Sequence, residues 1–151
     1  METKATCFFI GHHDIDTLTM NELRSTIEQH IVKFGVRDFL VGHYGNFDRM
    51  TIHVLLELKR TYPEIRLAML LPYHPLPNSP KPFPDGFDDS LYPFDRQIPP
   101  KAAIVAANKV AIRMSNYLIC YVRHFGKSRD FLIYAQKREK KGLIHITNLA
   151  E

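Results

Sequence analysis

A doubly wound, mostly parallel sheet of five strands with helices on both faces is the α/β architecture the sequence predicts. Three observations carry it. Short apolar runs, Ala5–Ile10, Asp38–Val41 and Ile65–Leu71, alternate with stretches of helical period. These runs are largely unbroken by polar residues, the mark of strands buried on both faces. They also stop abruptly, at Gly11, Gly42 and Pro72, and an order β-α-β-α-β with short turns needs parallel crossovers.

Each element has its own reason. Thr19-Met20-Asn21-Glu22 fits a capping box, and Met20, Leu23, Ile27, Ile31 and Phe34 then form one apolar stripe that Gly35 can end. A second helix is predicted from about Phe47 to Tyr62, where Pro63 forbids continuation. From Pro72 to Pro100 the pattern lapses, and nine of the ten prolines fall there among interspersed aromatics. So long an interruption points to an ordered lid over the strand ends, with a loose connector as the plainer reading. Pro99-Pro100 primes an alanine-rich helix from Lys101 to about Met114. Asn116–Val122 reads as the fourth strand, Arg123–Ser128 as a turn, Arg129–Lys140 as the last helix and Leu143–Thr147 as the fifth strand.

With 151 residues the chain is long enough for one full core, and residues 1–151 are read as one domain with a proline-rich insertion at 72–100. A net charge of +4 suits an anionic ligand but lacks the dense basic clustering of a dedicated nucleic-acid binder, so nucleic acid is expected to be an unlikely partner. Cys7 and Cys120 lie in apolar runs and read as buried reduced thiols. No signal-peptide core or membrane-length apolar run is visible, so a cytoplasmic protein without membrane association is expected; a homo-oligomer is left open.

Ligands of open α/β sheets sit outside the carboxyl ends of the strands. Those ends carry Gly11-His12-His13, Gly42-His43-Tyr44-Gly45, Pro72-Tyr73-His74 and His124-Phe125-Gly126-Lys127-Ser128. Glycines, a lysine, a serine and helix starts collected at one edge suit a phosphate. The spacing matches neither GxGxxG nor GxxxxGK[ST], and short strand–helix connections use glycine in any case.

Thr6-Cys7-Phe8-Phe9-Ile10-Gly11-His12 resembles the opening of SLOG-family proteins, in the superfamily shared by the Smf-type DNA-processing proteins and the Lonely Guy phosphoribohydrolases. The likeness continues through Gly42-x-x-Gly45-x-Phe47-Asp48, Leu70-Leu71-Pro72, Asn108, Ser115–Val122 and Tyr134-Ala135-Gln136-Lys137. It implies a Rossmann-like fold with strand order 3-2-1-4-5 and a nucleotide or nucleotide-derived ligand. Carried over by position, the ligand-binding residues would be Gly11, His12, Gly42, His43, Tyr44, Gly45, Asn46, Asp48, Asn108, Gly126, Lys127 and Ser128. The chain departs from the family pattern at His43 and Lys127, where second glycines are usual, and at Ala107, where arginine is usual. Such changes fit a proline-rich branch and leave the ligand's identity open. The phosphoribohydrolase signature PGGxGTxxE is absent, so no catalytic residue, metal or cofactor is assigned and the reading leans against an enzyme.

The expected function is therefore binding or sensing of a small nucleotide-type ligand. Two rivals remain. His12, His13, His43, His74 and His124, with Asp14, Asp48 or Asp130, could build a metal-assisted hydrolase, although no tight i, i+4 ligand spacing occurs. The basic edge and its aromatics could instead hold single-stranded nucleic acid. A triad of Ser128, His124 and Asp130 is discounted because no GxSxG elbow exists.

Overall fold

The computed structural model describes residues 5–13, 20–43, 45–74 and 81–150. Asp14, Thr19, Tyr44 and residues 75–80 of the proline-rich stretch lie outside the described residues. The strands are β1 (Thr6–Gly11), β2 (Asp38–Val41), β3 (Arg66–Leu70), β4 (Asp89–Leu91), β5 (Tyr117–Tyr121) and β6 (His145–Asn148). They form one sheet in the order β4-β3-β2-β1-β5-β6, with every pairing parallel. The helices are α1 (Met20–Val32), α2 (Asn46–Thr61), α3 (Pro100–Met114) and α4 (Lys127–Glu139).

The pleat sorts the strand residues into two cores. Cys7, Phe9, Phe39, Val41 and Leu67 pack beneath α1 and α2 with Leu23, Ile27, Val54 and Leu55. Phe8, Ile10, Leu40, Leu118 and Cys120 face the other way, against Ala107, Ala111 and Ile112 of α3 and Leu132 and Ala135 of α4. Alternate residues of a strand point to opposite faces, so runs such as Cys7–Ile10 serve both cores at once. The alanines of α3 let that helix approach closely; three of them, Ala103, Ala107 and Ala111, are fully buried.

The expected count of five strands is one short. The five foreseen strands stand in the foreseen order, and β4 is added outside β3. Its sequence, Asp89-Ser90-Leu91, has no apolar alternation, so the strand exists by pairing and not by propensity. The N–H of Leu71 donates to the Leu91 carbonyl at 2.8 Å. Beside it the Asp88 carboxylate accepts the Leu67 N–H at 2.8 Å and Lys59 Nζ at 2.7 Å. The described part of the proline-rich stretch is thus an added sheet edge, with Phe87 in the core. Lys127 and Ser128, expected in a turn, are the first residues of α4. Phe34 lies beyond the end of α1 and stacks on Tyr117 at 5.3 Å. Among the described residues no helix is long and apolar enough to cross a membrane.

Candidate functional site

The chain changes direction at β1, whose neighbours are β2 on one side and β5 on the other. At the carboxyl end of that switch point, between the starts of α2 and α4, lies a pocket of about 410 Å³. Its floor is Phe9, Ile10, Gly11 and Leu70, and α3 closes one side with Ile104, Ala107 and Asn108.

The α2 wall is tightly built. Phe47 is fully buried against the end of β1, and a Cβ on Gly11 would lie 2.3 Å from its ring. Gly11 therefore serves helix packing first, a role its place in a turn did not disclose. Gly45, the residue before α2, has φ +91, and a Cβ there would lie 2.4 Å from the Cβ of His13. The Asn46 N–H donates to the His13 carbonyl at 3.3 Å. Asp48, 9% exposed, sits in the first turn of α2, where the helix dipole favours a carboxylate. His43 also lines the pocket, and desolvation by the surrounding protein holds its pKa below the usual 6.5.

The α4 wall is open. Gly126 precedes the helix with φ +143, and nothing lies within 4 Å of where its Cβ would be. Neither Gly45 nor Gly126 supplies a side-chain cap, and both helix starts border the pocket, the Asn46 N–H of α2 being taken by His13. Exposed Lys127 adds a cation, and Ser128 Oγ donates to the Gly11 carbonyl at 3.0 Å, tying α4 to β1.

The turn from β5 to α4 is held at its base. The N–H groups of Arg123 and His124 donate to His12 Nε2 at 2.8 and 3.4 Å, which leaves the proton of a neutral ring on Nδ1. The His12 and His124 rings stack at 3.8 Å. Asn148 bonds the N–H and carbonyl of Val122 at 3.2 and 3.1 Å. At the tip Phe125 is 91% exposed, with the Arg129 guanidinium 5.9 Å from its ring centre.

Of the residues foreseen, Gly11, Gly42, His43, Gly45, Asp48, Asn108, Lys127 and Ser128 line the pocket. Asn108 Nδ2 donates back to the Ile104 carbonyl at 2.8 Å. Asn46 is exposed at the helix start, Gly126 shapes the rim, and Tyr44 is outside the described residues. His12 is buried behind the β5–α4 turn and supports it. Sequence reasoning missed the apolar α3 wall, and placed His13 at a strand end suited to a phosphate or among metal ligands without carrying it over as a binding residue. Two pairs of the foreseen histidines do come together, His12 with His124 and His13 with His43 at the pocket, but among the described residues no group of three or more His, Cys, Asp or Glu is placed to hold a metal ion. Of the discounted triad, His124 Nδ1 lies against the Phe125 carbonyl and Ser128 Oγ donates to the Gly11 carbonyl.

Fold and site together define a doubly wound, wholly parallel α/β protein with a pocket at its switch point. Neither a family model nor a curated protein matches the sequence. Among solved structures, DNA processing protein A from Helicobacter pylori, described for its single-stranded DNA binding mode, is similar over 99% of this chain and 68% of its own, with a TM-score of 0.59 and 16% identity. At that identity the likeness is one of fold.

One expectation is overturned. A dilute net charge of +4 disfavours nucleic acid as a partner, yet a protein of this fold has a single-stranded DNA binding mode. The physical reason is that local placement of cations, not their sum, sets the field a polyanion meets.

Proposed function

We propose that the carboxyl edge binds single-stranded nucleic acid, with one nucleotide unit seated in the pocket. The observation that carries this reading is the convergence of two glycine-preceded, side-chain-uncapped helix starts on one cavity, with Lys127 at its rim. The charges orient the unit. Its phosphate belongs at the α4 start, beside Lys127 and the open space over Gly126. Its base and sugar belong towards Asp48, which can accept hydrogen bonds from an amino or hydroxyl group but would repel phosphate. Phe125 offers a flat, solvent-facing ring on which an adjoining base can stack. The single-stranded DNA binding of the Helicobacter protein supports the choice of a strand. We further assign the chain to the SLOG branch on the motifs quoted above, and to the cytoplasm on its buried free thiols.

A free nucleotide or nucleotide-derived ligand is the second reading, favoured by a cavity whose volume is within the range of small-molecule sites. Fluorescence anisotropy with a labelled twelve-residue oligothymidylate, with mononucleotides as competitors, separates the two. Salt-sensitive binding of the oligonucleotide, poorly displaced by mononucleotides, is the expected result. Full displacement at matching concentration would favour the sensor. Absence of binding by either probe would sink both readings.

A further inference from the structure

Beyond the pocket, α3 and α4 face each other across a second groove of about 310 Å³. The two cavities share Lys127 and Phe131, so the groove begins where the pocket's rim ends. Lys109, Lys127 and Lys137 line it, and Asp130 is its one acid. Tyr134 organises the cations: Lys109 Nζ lies 5.5 Å from its ring centre, and Arg113 donates to its hydroxyl at 3.0 Å. The ion pairs of the described residues, such as Arg24–Glu57 and Lys59–Asp88, lie elsewhere, and none engages Lys109, Lys127, Lys137 or Arg113. Four cations gathered against one carboxylate repel one another and lower the potential only when an anion arrives.

We propose that this groove is a backbone track: the phosphodiester chain of a single strand leaves the pocket at Lys127 and runs between α3 and α4 past Lys109 and Lys137. The inference rests on the nucleic-acid reading of the pocket and extends it by naming the path. An occupant must be continuous with the anion at Lys127 and carry repeated negative charge along its length. A phosphodiester chain does both. The face is polar on its cationic side, so it reads charge spacing and not base sequence.

The test uses the whole protein and two probes, a dinucleotide and a twelve-residue oligothymidylate, against Lys109→Glu/Lys137→Glu. Both lysines are exposed, so the variant should fold, which its melting temperature checks. In the unaltered protein the longer probe should bind at least roughly ten-fold tighter than the dinucleotide. The variant should lose that gain and lower the salt slope by about 1.4, from two fewer phosphate contacts at 0.7 each. Its dinucleotide affinity should stay within about two-fold, because the pocket is untouched. Dinucleotide binding with no gain from length, or a variant that binds the long probe normally, overturns the track and leaves the pocket reading standing. Failure of both probes on the unaltered protein overturns the pocket reading and the track with it. Equal competition by an acidic peptide of the same charge would overturn the phosphodiester assignment.

Discussion

The starts of α2 and α4 are built from the same parts, a positive-φ glycine without a side-chain cap and a first turn that carries an aspartate, yet they differ in packing and in the cation beside the pocket. At α2 the glycine is wedged against His13, Phe47 is locked on Gly11, and the first turn carries a buried carboxylate. At α4 the glycine stands in open space, the first turn carries Lys127 with an exposed Asp130 in place of a buried carboxylate, and the tip beside it exposes Phe125. A glycine beside a pocket therefore has two physical meanings. It can be an assembly requirement, where a methyl group would collide with the protein itself. It can also be a vacancy, where a methyl group would collide only with a ligand.

The sharpest way to break that comparison is to fill both glycines. Gly45→Val should cost about 3–5 kcal/mol from backbone strain and overpacking on His13, seen as a large fall in denaturation midpoint. Gly126→Ala should cost only about 1–2 kcal/mol of strain, fold normally and still weaken oligonucleotide binding. Equal stabilities for the two variants would remove the distinction. Next in size is Phe125→Ala. Loss of one stacked base should weaken the long probe by about 1–3 kcal/mol, while the melting temperature stays put because the ring is 91% exposed.

Asp48→Asn keeps the shape and much of the capping ability but removes the charge. If Asp48 accepts from base or sugar, affinity should fall by about 1–2 kcal/mol, roughly ten-fold, at near-normal stability. Affinity within about two-fold would leave it a helix-start residue alone. The smallest effect concerns pH. The folded pKa of His43 lies below 6.5, so the stability it contributes as a neutral ring is complete above pH 6.5 and is lost as pH falls through that lower value. With phosphate at α4, the affinity profiles of the unaltered protein and His43→Gln should overlay from pH 8 to pH 6. An anion at α2 would instead raise the His43 pKa, and only the unaltered protein would bind tighter on acidification.

The sheet and helices were legible because apolar runs and 3.6-residue stripes are written locally, as in Phe8–Ile10 and Leu23–Ile27–Ile31. The edge strand β4 was not, because Asp89–Leu91 becomes a strand only through β3 and the Asp88 carboxylate. At the site, glycines and helix starts were visible, but their distinct roles were not: whether Gly11 meets a ligand or Phe47 depends on a helix that begins 35 residues later. His12 shows the same limit. Its position at a strand end suggested a ligand contact, whereas its partners are the N–H groups of Arg123 and His124, more than a hundred residues away. Net charge hid the groove for a related reason, since α3 and α4 collect their lysines only when packed.

The central place of β1 also sets a timetable. Thr6 pairs with Asp38, 32 residues on, whereas Cys7 pairs with Tyr117, 110 residues on. Closing the longer loop costs about 1 kcal/mol more in chain entropy, from the logarithm of the ratio of those lengths. A chain emerging from the ribosome thus has β1, β2, β3 and the α2 wall available for pairing long before α4 exists. The tight wall is the early product and the receptive wall the late one. The pocket is not complete until residue 128 has been made and docked against Gly11.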